Sequence, residues 1–287
     1  MTPLGLFHAP GERIDVSARD GQVLASYHYG AHLQRPYLHP LAPPGGPVVT
    51  LVSPHDHPWH HGAFLSWKFV EGRDLWQGGG GRSVSGPLEL TEHRDDRVGW
   101  RHTVDWREDE DGSGPRLLLE RRDLAVRLVD DTRSLVRWSS TFEVERPIKL
   151  HADERGYGGF GIRLIRDLQW AYRLFTVDGE VEADQVRGSR SLWSSWYGLD
   201  DVDHGWVGVT LFEDPENPNA PSPLFVPRVI QQMAYLSSGF TFGRDHTIDP
   251  DRPLTLRYGL LLHRGEPANG PGTWQGWFGE DEEGDNR

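Results

Sequence analysis

The sequence contains no cysteine. Disulfides, thiolate zinc sites, iron–sulfur clusters and cysteine nucleophiles are excluded together. A chain without cysteine is compatible with the cytoplasm, where this one is expected to reside. It has no run rich in lysine and arginine, and its formal net charge is −13, so nucleic acid is not an expected partner. No stretch approaches ~20 consecutive apolar residues, and neither a transmembrane helix nor a membrane partner is expected. The opening residues, Met1–Val16, lack a basic start followed by an apolar run, so no signal peptide is expected. Long 3.6-residue periodicity is also missing. Helices should be short, with one around Gln231–Leu236.

Turn formers and aromatic residues are plentiful. The chain has 34 Gly, 21 Pro, 12 Trp, 8 Tyr and 11 Phe among 287 residues. That combination favours strands joined by turns. A chain of this length buries roughly three quarters of its unfolded surface and needs no covalent staples. Part of the acidity lies between Glu280 and Asp285. Residues 280–287 are expected to be a solvated, disordered tail, and residues 1–279 a single β-sandwich domain.

Alternation locates the strands. Ile14, Val16 and Ala18 alternate with polar residues, Asp20-Gly21 makes a hairpin turn, and Val23, Ala25 and Tyr27 return. Pro36–Pro47 reads as a loop, Val48–Val52 as a short strand, and Gly78–Gly81 as a glycine loop without the features of a phosphate cradle. From Leu88 to Val144 the chain reads as a meander, with Trp100, His102, Val104 and Trp106 on one parity. The clearest strand alternates Leu254, Leu256, Tyr258, Leu260 and Leu262. The fold class expected is all-β: an antiparallel β-sandwich or supersandwich.

The chemistry concentrates in Ser53–Gly62. Four of fourteen histidines, His55, His57, His60 and His61, fall within seven residues, with Asp56 and Trp59 among them. Pro58 biases His57 toward extended backbone, which would put His55 and His57 on one side. Either His60 or His61 could then return toward His57. Imidazole is both the acid–base group suited to neutral pH and a common metal ligand. Acid–base work needs one or two of these rings and a carboxylate such as Asp56 to fix the tautomer. Three imidazoles, or two and a carboxylate, would instead satisfy zinc, iron, manganese or copper. Arg35, His39 and Arg163 are candidates for holding hydroxyls or a carboxylate, and Trp59 and Trp67 for a stacking wall. Trp193, Trp196 and Tyr197 form a second aromatic group, read as core filling, and His204 and His246 read as structural.

The run His39-Pro40 followed by Asp56–Gly62 resembles the bacterial family labelled "methane oxygenase PmoA-related". Gly158–Arg163, Trp193–Gly198, Phe212–Pro218, Arg257-Tyr258 and His263–Gly265 continue the resemblance in order, from about residue 35 to 265. Arg228–Thr241 departs from the pattern. The resemblance implies a setting in carbohydrate metabolism. The succession of strands is similar to the galactose-mutarotase type of supersandwich, which implies a histidine and a carboxylate acting on a sugar ring from the concave face.

The expectation is an enzyme that moves protons on a sugar or oxidised sugar, of epimerase, isomerase or lyase type, with a small-molecule sugar as its partner and no cofactor. His57, His61 and Asp56 are the expected catalytic residues. Arg35, His39, His55, Trp59, His60, Trp67 and Arg163 are the expected substrate-binding residues. A metal-dependent oxygenase or hydrolase on the same histidines, with a divalent metal, is one alternative, and a non-catalytic sugar-binding module is another.

Overall fold

The structure is a computed structural model that describes residues 4–169, 171–200, 205–227, 233–265, 272 and 274–278. The chain opens with strands β1 (Gly5–Ala9), β2 (Arg13–Ser17), β3 (Val23–His28), β4 (Tyr37–Leu41) and β5 (Ala63–Trp67). It continues through β6 (Phe69–Val70), β7 (Arg82–His93), β8 (Arg97–Arg107), β9 (Arg116–Asp130) and β10 (Arg133–Glu143). Then come β11 (Ile148–His151), β12 (Gly158–Arg163), β13 (Tyr172–Thr176), β14 (Gly179–Val181) and β15 (Trp193–Leu199). The last are β16 (Trp206–Glu213), β17 (Leu224–Phe225), β18 (Tyr235–Ser238), β19 (His246–Ile248) and β20 (Leu254–Arg264). Helix among the described residues is limited to short turns, a 3₁₀ turn at Arg166–Gln169 and α-helical turns at Ala183–Val186 and Trp274–Phe278. None is long and apolar enough to cross a membrane.

One sheet has eight strands in the order β1-β2-β3-β4-β5-β12-β18-β17. A second has nine, β14-β13-β15-β16-β20-β10-β9-β8-β7, and a third has three, β19-β11-β6. The ladders between these strands are antiparallel. The expected all-β antiparallel sandwich is the observed architecture. The hairpin at Asp20-Gly21 forms as expected, with Gly21 at a φ of 88°. The meander is β7 to β10, and its inward parity is Trp100, His102, Val104 and Trp106, all nearly inaccessible. Every one of Leu254, Leu256, Tyr258, Leu260 and Leu262 is buried on β20.

The two large sheets pack face to face through aromatic rings. Trp138 on β10 meets Phe160 on β12 with ring centroids 5.1 Å apart, and Phe160 stacks on Tyr258 of β20 at 5.0 Å. Trp67 is part of this seam. It lies edge-on to Phe142 at 5.6 Å and to Phe240 at 5.7 Å, with no exposure. The expectation that Trp67 lines a ligand wall is therefore wrong. On a strand, side chains alternate between faces. Ala63, Leu65 and Trp67 point into the seam, while Phe64 belongs to a separate cluster with Tyr37, Trp76 and Tyr235 on the opposite face of the sheet.

A buried polar network crosses the seam, and nothing in the sequence announced it. Arg122 donates from Nε and Nη2 to the two carboxylate oxygens of Glu120, each at 2.8 Å, and from Nη1 to the Tyr27 hydroxyl at 3.0 Å. Trp106 Nε1 and the Ser140 hydroxyl also donate to Glu120, and the Tyr27 hydroxyl meets His102 Nδ1 at 2.8 Å. Such a cluster is tolerable in an apolar seam because each charge has several partners.

Three local expectations need correction. Pro36–Pro47 contains strand β4. Pro40 has no N–H to give, but β4 meets β5 through the pair Leu38–Ala63 alone, and Leu41 N–H is received by the Thr50 hydroxyl at 3.1 Å. Val48–Val52 is not a strand and makes only isolated bridges, Thr50 with Leu164 and Val52 with His61. Tyr235 and Leu236, expected in a helix, lie in β18, where they pair with β12. Tertiary pairing overrides the weak helical pattern there, and residues 231–232 lie outside the described residues. Trp196 is in the core and Tyr197 is buried against His263 on the nine-stranded sheet, as core filling requires. His246 packs edge-on to Phe240 at 5.0 Å, consistent with a structural role. His204 and the acidic tail lie outside the described residues.

Candidate functional site

The histidine-rich segment is a compact loop laid on the outer face of the eight-stranded sheet. It is not extended, as the sequence suggested. His57 N–H donates to the Pro54 carbonyl and His60 N–H to the His57 carbonyl, both at 3.0 Å, so two successive turns replace the strand-like run. The mouth of the loop is closed by Ser53 N–H donating to the His60 carbonyl at 2.8 Å and Gly62 N–H to that of Leu51 at 2.9 Å. Gly62 has a φ of 55°, and a Cβ there would lie 2.1 Å from the Leu38 carbonyl oxygen. Only glycine lets β4 come this close at that backbone angle.

Arg163, at the end of β12, anchors both ends of this loop. Its carbonyl receives Leu51 N–H at 3.0 Å, and its own N–H donates to the Gly62 carbonyl at 2.8 Å. Its side chain, 1% exposed, then reaches into the loop and donates from Nη2 to Asp56 Oδ2 at 2.8 Å. The same carboxylate oxygen receives His57 Nδ1–H at 2.9 Å. That bond places the proton on Nδ1 and leaves Nε2 as the basic atom of the ring. The His57 side chain keeps 26% of its surface accessible, enough for a substrate to reach it. Burial acts to raise the Asp56 pKa, but the hydrogen bonds from His57 and Arg163 and the charge of Arg163 prevail, and the group is held below the usual carboxylate range.

His60 lies beneath His57. The two rings stack at 4.8 Å, and the other face of His60 stacks on Tyr235 at 4.8 Å. Phe64 and Trp76 complete its surroundings, at 5.9 and 6.1 Å. Burial first, and then the charges of His57, Arg163 and Arg35, push its pKa down to about 2, so this ring is neutral. A second stack runs beside the first, with Tyr37 between His28 at 5.1 Å and His61 at 5.0 Å. His61 is also neutral, its pKa lowered to about 3 by burial and by Arg35. His39 Nδ1 meets the Thr50 hydroxyl at 2.9 Å, and burial lowers its pKa to about 4.

The expected residues thus separate. Asp56, His57, His60, Trp59 and Arg163 come together, with His61 alongside in the second stack. Trp59 is half-buried and stands edge-on to His57 at 5.4 Å. His55 is exposed within the first turn, between Pro54 and His57. Arg35 is not a free ligand-binding group. Its guanidinium is buried and donates to the carbonyls of Trp59, Leu75 and Trp76, and burial lowers its pKa to about 10. Among the described residues no three His, Asp or Glu side chains converge in a way that could hold a metal ion. The rings stack face on face, which keeps their nitrogens from pointing at one centre.

Sequence reasoning missed Tyr235, Tyr37 and Trp76. Tyr235 is the cross-strand partner of Arg163 and lies over Gly161, where a Cβ would fall 2.0 Å from its hydroxyl oxygen. The glycine-dense run Gly158–Arg163 carried that signal, as a place where a large neighbour needs room. Several polar atoms around this point make no hydrogen bond and are closed off from water: Arg163 Nε and Nη1, Trp76 Nε1, the Tyr235 hydroxyl and the two ring nitrogens of His60, one a donor and one an acceptor. An unpaired buried donor costs about 1–3 kcal/mol.

No curated protein matches the chain. Among solved structures, galactose 1-epimerase from Lactobacillus acidophilus NCFM aligns over 93% of this chain and 100% of its own, at 10% identity and a TM-score of 0.44. A GalM/aldose epimerase homologue from C. elegans aligns over the same shares at 8% identity and a TM-score of 0.36. A polysaccharide lyase aligns over 93% of this chain and 33% of its own, at 11% identity and a TM-score of 0.31. A family model matches residues 14–271 and is described as a family of unknown function, without the PmoA-related label that the motifs resemble. The match spans most of the chain, which belongs to the Family of unknown function (DUF6807).

Proposed function

We propose that this protein is an enzyme of proton transfer on a sugar or oxidised sugar, of epimerase, isomerase or lyase type. His57 is the base and Asp56 the residue that orients it. One observation carries the reading: His57 Nδ1 is held at 2.9 Å by a carboxylate that Arg163 in turn keeps ionised at 2.8 Å, which leaves Nε2 as the basic atom of a partly accessible ring. A carboxylate in that position fixes the tautomer and stabilises the imidazolium formed when Nε2 takes a proton. Trp59, half-buried beside His57, offers a flat face suited to a sugar ring. The loop motif that resembles the PmoA-related family, Asp56–Gly62, is the site itself, and a carbohydrate context agrees with that resemblance. A cytoplasmic location and a single-domain chain belong to the same reading.

Solvent proton exchange tests it. Aldoses, keto-sugars and sugar acids are incubated with the enzyme in deuterated water and followed by NMR. Wild-type enzyme is expected to exchange a carbon-bound proton on at least one of them, and His57→Gln to slow that exchange by about 10²–10⁴-fold. Exchange undiminished in His57→Gln would remove His57 from the role. Binding without exchange on the whole panel would favour a sugar-binding module.

A further inference from the structure

We propose that the buried end of this site is a carboxylate subsite, built by Arg163 with Tyr235, Trp76 and His60, and that the substrate is an acidic sugar such as a uronic acid. The inference rests on the proton-transfer reading and narrows its substrate class.

The first ground is an excess of donors. Arg163 and Trp76 can only donate, and Tyr235 and one nitrogen of His60 can do so. Arg163 Nε and Nη1 and Trp76 Nε1 have no acceptor among the described residues and do not touch solvent, and the Tyr235 hydroxyl has only the Ser237 side chain beside it. The carboxylate of Asp56 takes one guanidinium nitrogen of Arg163 and leaves the other two. The group that satisfies such a set is rich in acceptors and has no donors of its own, which describes a carboxylate better than sugar hydroxyls.

The second ground is charge. The chain carries a net −13, yet three guanidiniums gather here: Arg163, Arg35 and Arg166. Asp56 faces two of them, Arg163 at 2.8 Å and Arg166 at 3.7 Å. Arg35 donates to carbonyls and makes no ion pair among the described residues, with the carboxylate of Asp74 acting on it from farther off. Both buried guanidiniums lie close enough to depress the His60 pKa. A cationic pocket inside an acidic protein selects an anion, and the surrounding negative charge leaves neutral sugars without that advantage.

Calorimetric binding to the full-length protein tests the subsite without requiring turnover. The probes are D-glucuronate and D-galacturonate against D-glucose and D-galactose. Wild-type protein is expected to bind at least one acid roughly tenfold or more tightly than its neutral parent, with the preference shrinking as salt rises. Arg163→Gln should erase the preference. If that variant does not fold, Trp76→Phe and Tyr235→Phe each remove one donor and should each weaken uronate binding several-fold more than binding of the neutral parent. Equal binding of acids and parents, no binding of either acid, or a preference that survives Arg163→Gln would overturn the proposal. His57→Gln separates the two readings. Uronate preference retained with proton exchange lost supports both. Uronate preference in a protein that exchanges no proton leaves the subsite standing and the catalytic reading fallen, and exchange on neutral sugars alone does the reverse.

Discussion

Arg163 and Asp56 stand 107 residues apart in the chain and 2.8 Å apart in space. Because the backbone of Arg163 also closes both ends of the loop that carries Asp56, strand β12 and the histidine loop form one mechanical unit. The position of His57 therefore depends on the strand order of the sheet, and a substitution in β12 is felt at the base.

Asp56→Asn is expected to lower stability at neutral pH and to flatten its loss in acid. The folded pKa of Asp56 lies below the unfolded value of about 3.9, so its contribution is complete above that pH and is lost as pH falls through the folded value. A third of the side chain is in water, so screening limits the deficit at neutral pH to about 1 kcal/mol. Urea unfolding between pH 7 and roughly pH 3 measures both effects, and parallel curves for the two proteins would exclude a contribution from the ion pair.

His60 controls stability over a different range. Its folded pKa, lowered to about 2, lies far below the unfolded value. The unfolded chain gains a proton at this residue below about pH 6.5 and the folded chain does not, so its contribution is present above that pH and is lost as the solution is acidified. His60→Phe keeps a flat ring in the stack between His57 and Tyr235 and removes that proton. The variant is expected to lose stability more slowly between about pH 6 and pH 4, by up to about 1.4 kcal/mol per pH unit. Unfolding free energies at several pH values decide it; identical slopes would mean that His60 titrates alike in both states.

The parts of this fold that alternate cleanly were legible in the residues, and the parts set by distant pairing were not. β20 and the meander β7 to β10 follow from parity alone. The histidine loop was found by density, because four rings in seven residues have few ordinary explanations. Trp67 and Trp59 could not be told apart by type, since parity on β5 and a turn after Pro58 decide which one faces the seam. Arg35 and Arg163 looked alike until their partners appeared, carbonyls for one and a carboxylate for the other. Tyr235 was hidden because its role comes from pairing with β12, 72 residues earlier by numbering from Arg163 to Tyr235.

Gly161→Ala tests the least conspicuous element of the site. The new Cβ would lie 2.0 Å from the Tyr235 hydroxyl oxygen and 2.7 Å from the adjoining ring carbon, so the tyrosine must move. Moving it disturbs the stack on His60 and, through that ring, His57. A cost of about 1–3 kcal/mol is expected from overpacking, with loss of sugar binding or exchange beyond what the fall in stability accounts for. Thermal unfolding and ligand binding measured together separate the two, and a variant with native activity would show that Tyr235 has another place to go.

Glu120→Gln tests the buried network in the seam, far from the loop in its chemistry. Glu120 is inaccessible and receives four hydrogen bonds, a forked pair from Arg122 and one each from the neutral donors Trp106 and Ser140. Removing its charge leaves the Arg122 guanidinium uncompensated, held by the Tyr27 hydroxyl and the ring of Trp138 at 4.2 Å. Breaking one partner of a buried pair costs about 3–5 kcal/mol, more than replacing both. Glu120→Gln is therefore expected to be less stable than the double variant Glu120→Leu/Arg122→Met, in which no charge is stranded. Chemical unfolding of the two ranks them, and the opposite order would mean that the network contributes net stability as an intact unit.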